Sequence, residues 1–246
     1  NIQSNNGFTA LMIAAEYNKN ALITQYLCTV FKHTIDINIV DRYGYTALMS
    51  ATKHIKNADV LRFVYNTFKY TGDINIKSKD DMTVLIVAAQ YNKNEKVMQY
   101  LCEAFKATID INQYDDGYTN IFMIAARYNS NEKVLQYIYN EFKDTIDINR
   151  RNYNGDTALM FAMPYNTNEK VIQFLCTLYK NTNINGRNYE SLTALMLAAE
   201  SNTNVAVIQY LCDTFKDTIN INIRTLSSKD NALMLSIRNK NIAVTQ

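Results

Sequence analysis

Histidine, cysteine and methionine are the residues of this chain with the most chemistry to offer, and their spacing decides what that chemistry could be. His33 and His54 are the two histidines, and they stand in different segments with no acid spaced to orient either ring as a general base. Both are expected on the surface or in loops. No paired-cysteine motif, no HExxH and no glycine-rich phosphate loop occurs. Met12, Met49, Met123, Met160, Met196 and Met234 share one column of a repeated pattern. Sulfur ligation of a metal would need several of them to converge, whereas one methionine at a fixed helical position is what flexible core filling produces. No catalytic, metal-ligating or cofactor-binding residue is therefore expected, and no small-molecule substrate. The chain reads as a non-enzyme.

Composition narrows the remaining classes. A formal net charge of +2 over 246 residues is too balanced for sequence-blind nucleic-acid binding across a whole surface. With 48% hydrophobic residues the chain can bury a substantial core. No apolar run approaches the ~18–20 residues a membrane helix needs, so no membrane is expected. The chain opens at Asn1 and closes on "NIAVTQ", which matches the earlier "NALITQYL", and is read as a piece of a longer protein.

The elements that position these residues are written many times over. "TALM" occurs at 46–49, 157–160 and 193–196 and within "NNGFTALMIAAEYNKN" at the start, with "TVLI", "NIFM" and "NALM" at 83–86, 120–123 and 231–234 as variants. The alanine that follows falls at Ala14, Ala51, Ala88, Ala125 and Ala162 in steps of 37, then at Ala198 and, as serine, at Ser236. That is one array over residues 1–246, six full repeats and a partial seventh, in which each repeat covers its neighbour's apolar face. "TALMIAA" predicts a short first helix of about two turns. Asn18, Asn92, Asn129, Asn166 and Asn202 stand just past it, where a left-handed residue would end it. The asparagine two residues later, at 20, 57, 94, 131, 168 and 204, predicts the N-cap of a longer second helix, with Glu95, Glu132 and Glu169 favoured in its first turn. Apolar residues at +3, +6, +7 and +11 from that cap, as in Val97, Tyr100, Leu101 and Phe105, predict its inner face. A lysine at 32, 69, 106, 143, 180 and 216 marks its end, and stretches such as "VDRYGY" at 40–45 predict an extended segment and tight turn.

Cys28, Cys102, Cys176 and Cys212 occupy one column of the second helix. Stacked helices lie ~8–10 Å apart, beyond the ~7 Å between Cα atoms that a disulfide spans. Four free thiols are expected, and with them a reducing compartment, the cytoplasm, the nucleus or a host cytosol.

Helix, loop, longer helix and projecting turn, with "DRYGYTALMSA" at 41–51, resemble an ankyrin repeat. Asp41, Gly44, Thr46, Leu48 and Ala51 match that family's Asp, Gly, Thr-Pro-Leu-His and Ala in place, as do Gly155, Thr157, Leu159 and Ala162. Asn75, Asn112, Asn149 and Asn222 sit where the family has Asn or Asp before the turn. Methionine replaces the usual histidine at 49, 160 and 196, Ala or a β-branched residue replaces the proline, Asn replaces the glycine between helices, and the second helix is about a turn longer. The resemblance covers residues 5 to 246 and implies an all-α repeat solenoid of stacked helix-turn-helix units with projecting β-turn loops, docking a protein partner on its concave face.

Three functions were open on this reading: a protein-binding scaffold, a spacer or regulatory arm for a catalytic domain outside the fragment, and a nucleic-acid reader. The turn tips choose among them. They carry Val40, Arg42, Tyr43 and Tyr45; Lys77, Lys79 and Met82; Tyr114 and Asp116; Arg151, Tyr153 and Asp156; Arg187, Tyr189 and Leu192. Tyrosine and arginine are common interface anchors, whereas Asp80, Asp115, Asp116, Asp156 and Glu190 interrupt any basic stripe and argue against nucleic acid. The expected partner surface adds the helix-end residues Glu16, Lys53, Gln90, Arg127 and Glu200 to these tips, beside Tyr17, His54, Tyr91, Tyr128 and Tyr165. The protein partner itself is not named by any residue.

Overall fold

The computed structural model describes residues 2–17 and 21–239; the expected caps Asn18 and Asn20 and the closing "NIAVTQ" lie outside them. Contacts divide the chain into two compact units, Asn1–Asp116 and Gly117–Gln246. The first holds α1 (Ala10–Tyr17), α2 (Ala21–Val30), α3 (Ala47–His54), α4 (Ala58–Phe68), α5 (Val84–Tyr91) and α6 (Glu95–Phe105). The second holds α7 (Ile121–Tyr128), α8 (Glu132–Phe142), α9 (Ala158–Ala162), α10 (Glu169–Tyr179), α11 (Ala194–Ser201), α12 (Val205–Thr214) and α13 (Ala232–Ser236). In each unit the first helix of a repeat packs on the first helices beside it and the second on the second. Thus α3 lies against α1 and α5, α4 against α2 and α6, α9 against α7 and α11, and α10 against α8 and α12. The fold is an all-α repeat solenoid.

Local chemistry starts the helices on either side of each loop from α3 onward. Thr46, Thr83, Asn120, Thr157, Thr193 and Asn231 cap the first helices by accepting the backbone N–H three residues on. Thr9 accepts the Met12 N–H in the same way, and the methionine column adds to two caps: the sulfurs of Met12 and Met196 accept the backbone N–H of Thr9 and Thr193 at 3.4 and 3.5 Å. A thioether thus does part of what a Glu does in a capping box. Met12, Met49, Met123, Met160 and Met196 are buried, as core filling requires, but Met234 of α13 is 45% exposed. The second helices start on Asn57, Asn94, Asn131, Asn168 and Asn204, each accepting the N–H two residues on.

Two sequence expectations are corrected here. Asn92, Asn129 and Asn202 end their helices in extended, not left-handed, backbone, and Asn166 is absent from the residues with positive φ. Their amides explain why. Asn166 accepts from the N–H of Asn168 and donates to the carbonyls of Ala126 and Asn129 in the preceding repeat at 2.8 and 3.0 Å. Asn92 reaches Thr52 and Ile55, Asn202 reaches Met163 and Asn166, and Asn239 reaches Ala199 and Asn202 in the same way. The orphan carbonyls at the end of one first helix are thus satisfied by the next repeat. The second correction concerns the inner face of the long helices, which runs through +3, +4, +7, +8 and +11. Val97, Met98, Leu101, Cys102 and Phe105 are buried and Tyr100 is half-exposed. Tyr65 at the same depth is fully buried, its hydroxyl 2.9 Å from that of Thr52 and its ring edge-on to Phe105 at 6.3 Å.

Helix α9 is shorter than its counterparts because Pro164 has no N–H to continue it. Between repeats the chain projects as a finger. Val40 bridges antiparallel to Thr46, Asp41 Oδ1 accepts the N–H groups of Tyr43 and Tyr45, and the turn closes with the Gly44 N–H on the Asp41 carbonyl. Fingers are tied by backbone: Lys79 N–H to the Tyr43 carbonyl, Tyr153 N–H to Gly117 and Tyr189 N–H to Asn154, each at 2.9 Å. Gly44 has φ +82°, and a Cβ there would lie 2.9 Å from Lys79 N, so this position needs glycine for the turn and for the close approach. Asp81, Tyr118, Ser191 and Lys229 adopt positive φ at the equivalent point of their own fingers.

Candidate functional site

The fingers and the ends of the first helices form one surface in each unit. In Asn1–Asp116 the Lys53 ammonium lies 5.4 Å from the Tyr45 ring on a finger and 4.8 Å from the Tyr91 ring at the end of α5. Arg42 lies over Tyr43 at 4.6 Å and donates to Asn6 Oδ1 at 2.9 Å. Lys77 reaches the Tyr114 ring at 5.7 Å and pairs with Asp81 at 3.6 Å, an exposed contact worth little in itself. Lys79 is exposed and Gln90 half-buried. Burial, and after it the charges of Tyr91, Asp80 and Asp41, push the Tyr45 phenol up to about 12, so this tyrosine joins finger to helix and offers only part of its ring outward.

In Gly117–Gln246 the corresponding helix end carries Arg127, its guanidinium carbon 3.8 Å from the Tyr165 ring, 4.3 Å from Phe161 and 5.0 Å from Tyr128. The Tyr128 and Phe161 rings meet edge-to-face at 6.4 Å. The column Tyr17, Tyr91, Tyr128 and Tyr165 is exposed rather than sealed between repeats, and all but Tyr17 lie against a cation. His33 and His54 are both exposed; burial, ahead of the opposing charges of Glu16 and Lys53, lowers the His54 pKa.

Three tyrosines line an open cleft of about 650 Å³ on the fingers of this unit: Tyr118, Tyr153 and Tyr189, with Arg151 and Glu190 beside them. Their exposures are 49%, 73% and 74%. Tyr118 was not singled out from sequence. It occupies the finger position held elsewhere by Gly44 and Gly155, and a bulky residue at φ +58° there was the signal. Arg151 plays a different part from the free tip expected of it: its Nη1 donates to the Gly155 carbonyl of its own finger and to the Arg187 carbonyl of the next. Met82 and Asp156 are not tips but buried, Asp156 accepting from Asn188 Nδ2 at 2.8 Å, and Leu192 is half-buried. Arg187 remains exposed.

The four cysteines are free. Burial holds the Cys28 and Cys176 thiols up at about 12 and raises Cys212, to which the Asp213 charge adds, so they are poor nucleophiles. Among the described residues no three His, Cys, Asp or Glu side chains gather as a metal site, and no helix is long and apolar enough to cross a membrane.

The sequence profile of ankyrin repeats in three copies matches residues 1–77, 66–152, 85–188 and 122–225. The chain belongs to the ankyrin repeat family. Two solved structures are similar to these ankyrin repeats. The ankyrin repeat domain of Bcl-3, a member of the IkappaB family, superposes with a TM-score of 0.66 at 17% identity over 94% of each chain. A chain of the complex between the Bd0816 predatory endopeptidase of Bdellovibrio bacteriovorus and the immunity protein Bd3460 gives 0.62 at 28% identity, over 86% of this chain and 99% of that one. Among curated proteins none is similar enough to count as a relative.

Proposed function

We propose that this ankyrin array is a non-catalytic scaffold that holds a protein partner on the surface made by its fingers and first helices, the concave face of such an array. The observation that carries this reading is the exposure of Tyr153 and Tyr189, nearly three-quarters open on the rim of a cleft that Tyr118 also lines. Tyrosine offers a large rigid area with little rotamer entropy to lose, which suits an interface better than a solvated spacer. The family's general role in protein–protein interaction supports it, as does the likeness to a chain of a two-protein complex. The uninterrupted step from Ala88 to Ala125 supports a single array of six repeats and part of a seventh, and the four free thiols support a reducing compartment such as the cytoplasm.

Selection of a random-peptide display library on the purified chain tests this directly. Tyr153→Ala with Tyr189→Ala should abolish binding of the selected peptides without moving the urea midpoint, while Lys96→Ala with Lys133→Ala, exposed on the second helices, should leave binding intact. Binding retained by the tyrosine variant would remove the partner from this surface.

A further inference from the structure

The docking surface of the second unit holds an arginine prepared for an anion that the protein does not supply. Arg127 sits among Tyr128, Phe161 and Tyr165, whose rings fix its guanidinium plane at 3.8–5.0 Å. Its Nε–H is covered and has no acceptor. Among the described residues the guanidinium makes neither a hydrogen bond nor an ion pair, although it carries five donors. The same register position in later repeats behaves otherwise. There the column reads Pro164, Glu200 and Arg238, and Glu200 pairs with Arg238 at 3.6 Å, while Arg238 also reaches Asp230 at 3.0 Å. Charges of this column that have an opposite partner within the second unit use it; Arg127 is held by aromatic rings instead, as Lys53 is in the first unit.

Stacking has consequences for what can bind. The rings remove the rotamer freedom that a long side chain would lose on binding, so a ligand meets a pre-oriented fork. They cannot satisfy the N–H groups, which lie in the plane of the guanidinium and demand acceptors. A carboxylate answers both the charge and the planar two-pronged geometry. The two fingers at 150–156 and 187–192 carry Arg150, Arg151 and Arg187 against Asp156 and Glu190, so with Arg127 the local balance is positive and has the matching sign.

We infer that Arg127 is the anchor for an Asp, Glu or terminal carboxylate of the docked partner, so that the segment lying on this unit is acidic. The inference rests on the partner surface proposed above and names the chemistry of what occupies it. Peptides selected on the intact chain should be enriched in Asp and Glu, and the same peptides with Asn and Gln in those places should bind about tenfold or more weakly, the scale of a hydrogen bond to a charged group. Arg127→Gln should lose a similar factor, Arg127→Lys should recover part of it because it restores the charge without the fork, and all should keep the wild-type unfolding midpoint within the scatter of surface substitutions. As a direct readout, the arginine side-chain resonance that disappears in Arg127→Lys should shift on titration with a selected acidic peptide and not with its Asn/Gln counterpart. Selected peptides without acidic enrichment, insensitive to Arg127→Gln but lost with Tyr153→Ala and Tyr189→Ala, would overturn this assignment and leave the docking surface standing. Peptides insensitive to all three substitutions would overturn both. If Arg127→Gln shifts the midpoint, the resonance titration on the unmodified chain decides alone, and an unmoved resonance refutes the anchor.

Discussion

Phe105 and Tyr153 are aromatic residues of similar size in the same repeated architecture, and they do opposite things. Phe105 ends a second helix with 2% of its surface exposed and meets Tyr65 edge-on; Tyr153 stands on a finger with 73% exposed. The first recurs as Phe31, Phe68, Phe142, Tyr179 and Phe215, and Phe68, Tyr179 and Phe215 are buried like Phe105. The second sits where the chain changes from repeat to repeat. Position within the repeat, more than residue type, separates what builds the array from what is left to bind.

The sharpest way to break that contrast is to empty both sites. Phe105→Ala should cost about 3–5 kcal/mol through the cavity it opens between repeats, measured by urea denaturation, and a loss under 1 kcal/mol would mean the interior is not where the stack is held. Asn166→Ala should cost about 2 kcal/mol, since it strips donors from two carbonyls of the preceding repeat and the acceptor of the Asn168 N–H; an effect no larger than that of an ordinary cap would break the idea of an inter-repeat ladder. High pH should weaken the interior. Below the ordinary thiol value near 9, Cys28 and Cys176 are neutral whether folded or unfolded. Between there and about 12 only the unfolded chain ionises, so stability falls as pH rises, by about 1 kcal/mol per thiol at pH 10. A Cys28→Ala, Cys176→Ala chain should show a shallower fall between pH 8 and 10, and an equal slope would exonerate the thiols. Asn94→Ala should cost about 1 kcal/mol as a lost local cap, half or less of Asn166→Ala. Tyr153→Ala should stay within about 0.5 kcal/mol of the parent while removing peptide binding.

The parts that sequence made legible are those whose chemistry is local. Asn57, Asn94, Asn131, Asn168 and Asn204 act on an amide two residues away, so a column of asparagines before each apolar helix could be read as caps directly. The asparagines two residues earlier could not, because their amides reach carbonyls 36 to 40 residues back and a left-handed helix end is the local reading of the same letter. Met98 lay inside and Tyr100 half out because two adjacent rows of a helix are both apolar, and only the neighbouring helix decides which is covered. On the surface, residue type pointed to tyrosine and arginine, yet Arg151 turned out to brace two fingers while Tyr118 hid in a glycine position. Part of what each cation touches is a tertiary fact: Arg151 holds the Arg187 carbonyl 36 residues on, and Arg127 meets Phe161 and Tyr165 from the next repeat.

The asparagine ladder gives the array a direction in time. In α3, α7, α9 and α11 the last carbonyls are closed by an amide that belongs to the following repeat, 36 to 40 residues downstream. A chain leaving the ribosome from its N-terminus therefore exposes each new first helix with an unfinished end, and completes it only when the next repeat has emerged and swung its asparagine back. Folding during synthesis must lag synthesis by about one repeat, and a ribosome paused between repeats would hold out one helix pair that is formed but not yet fastened.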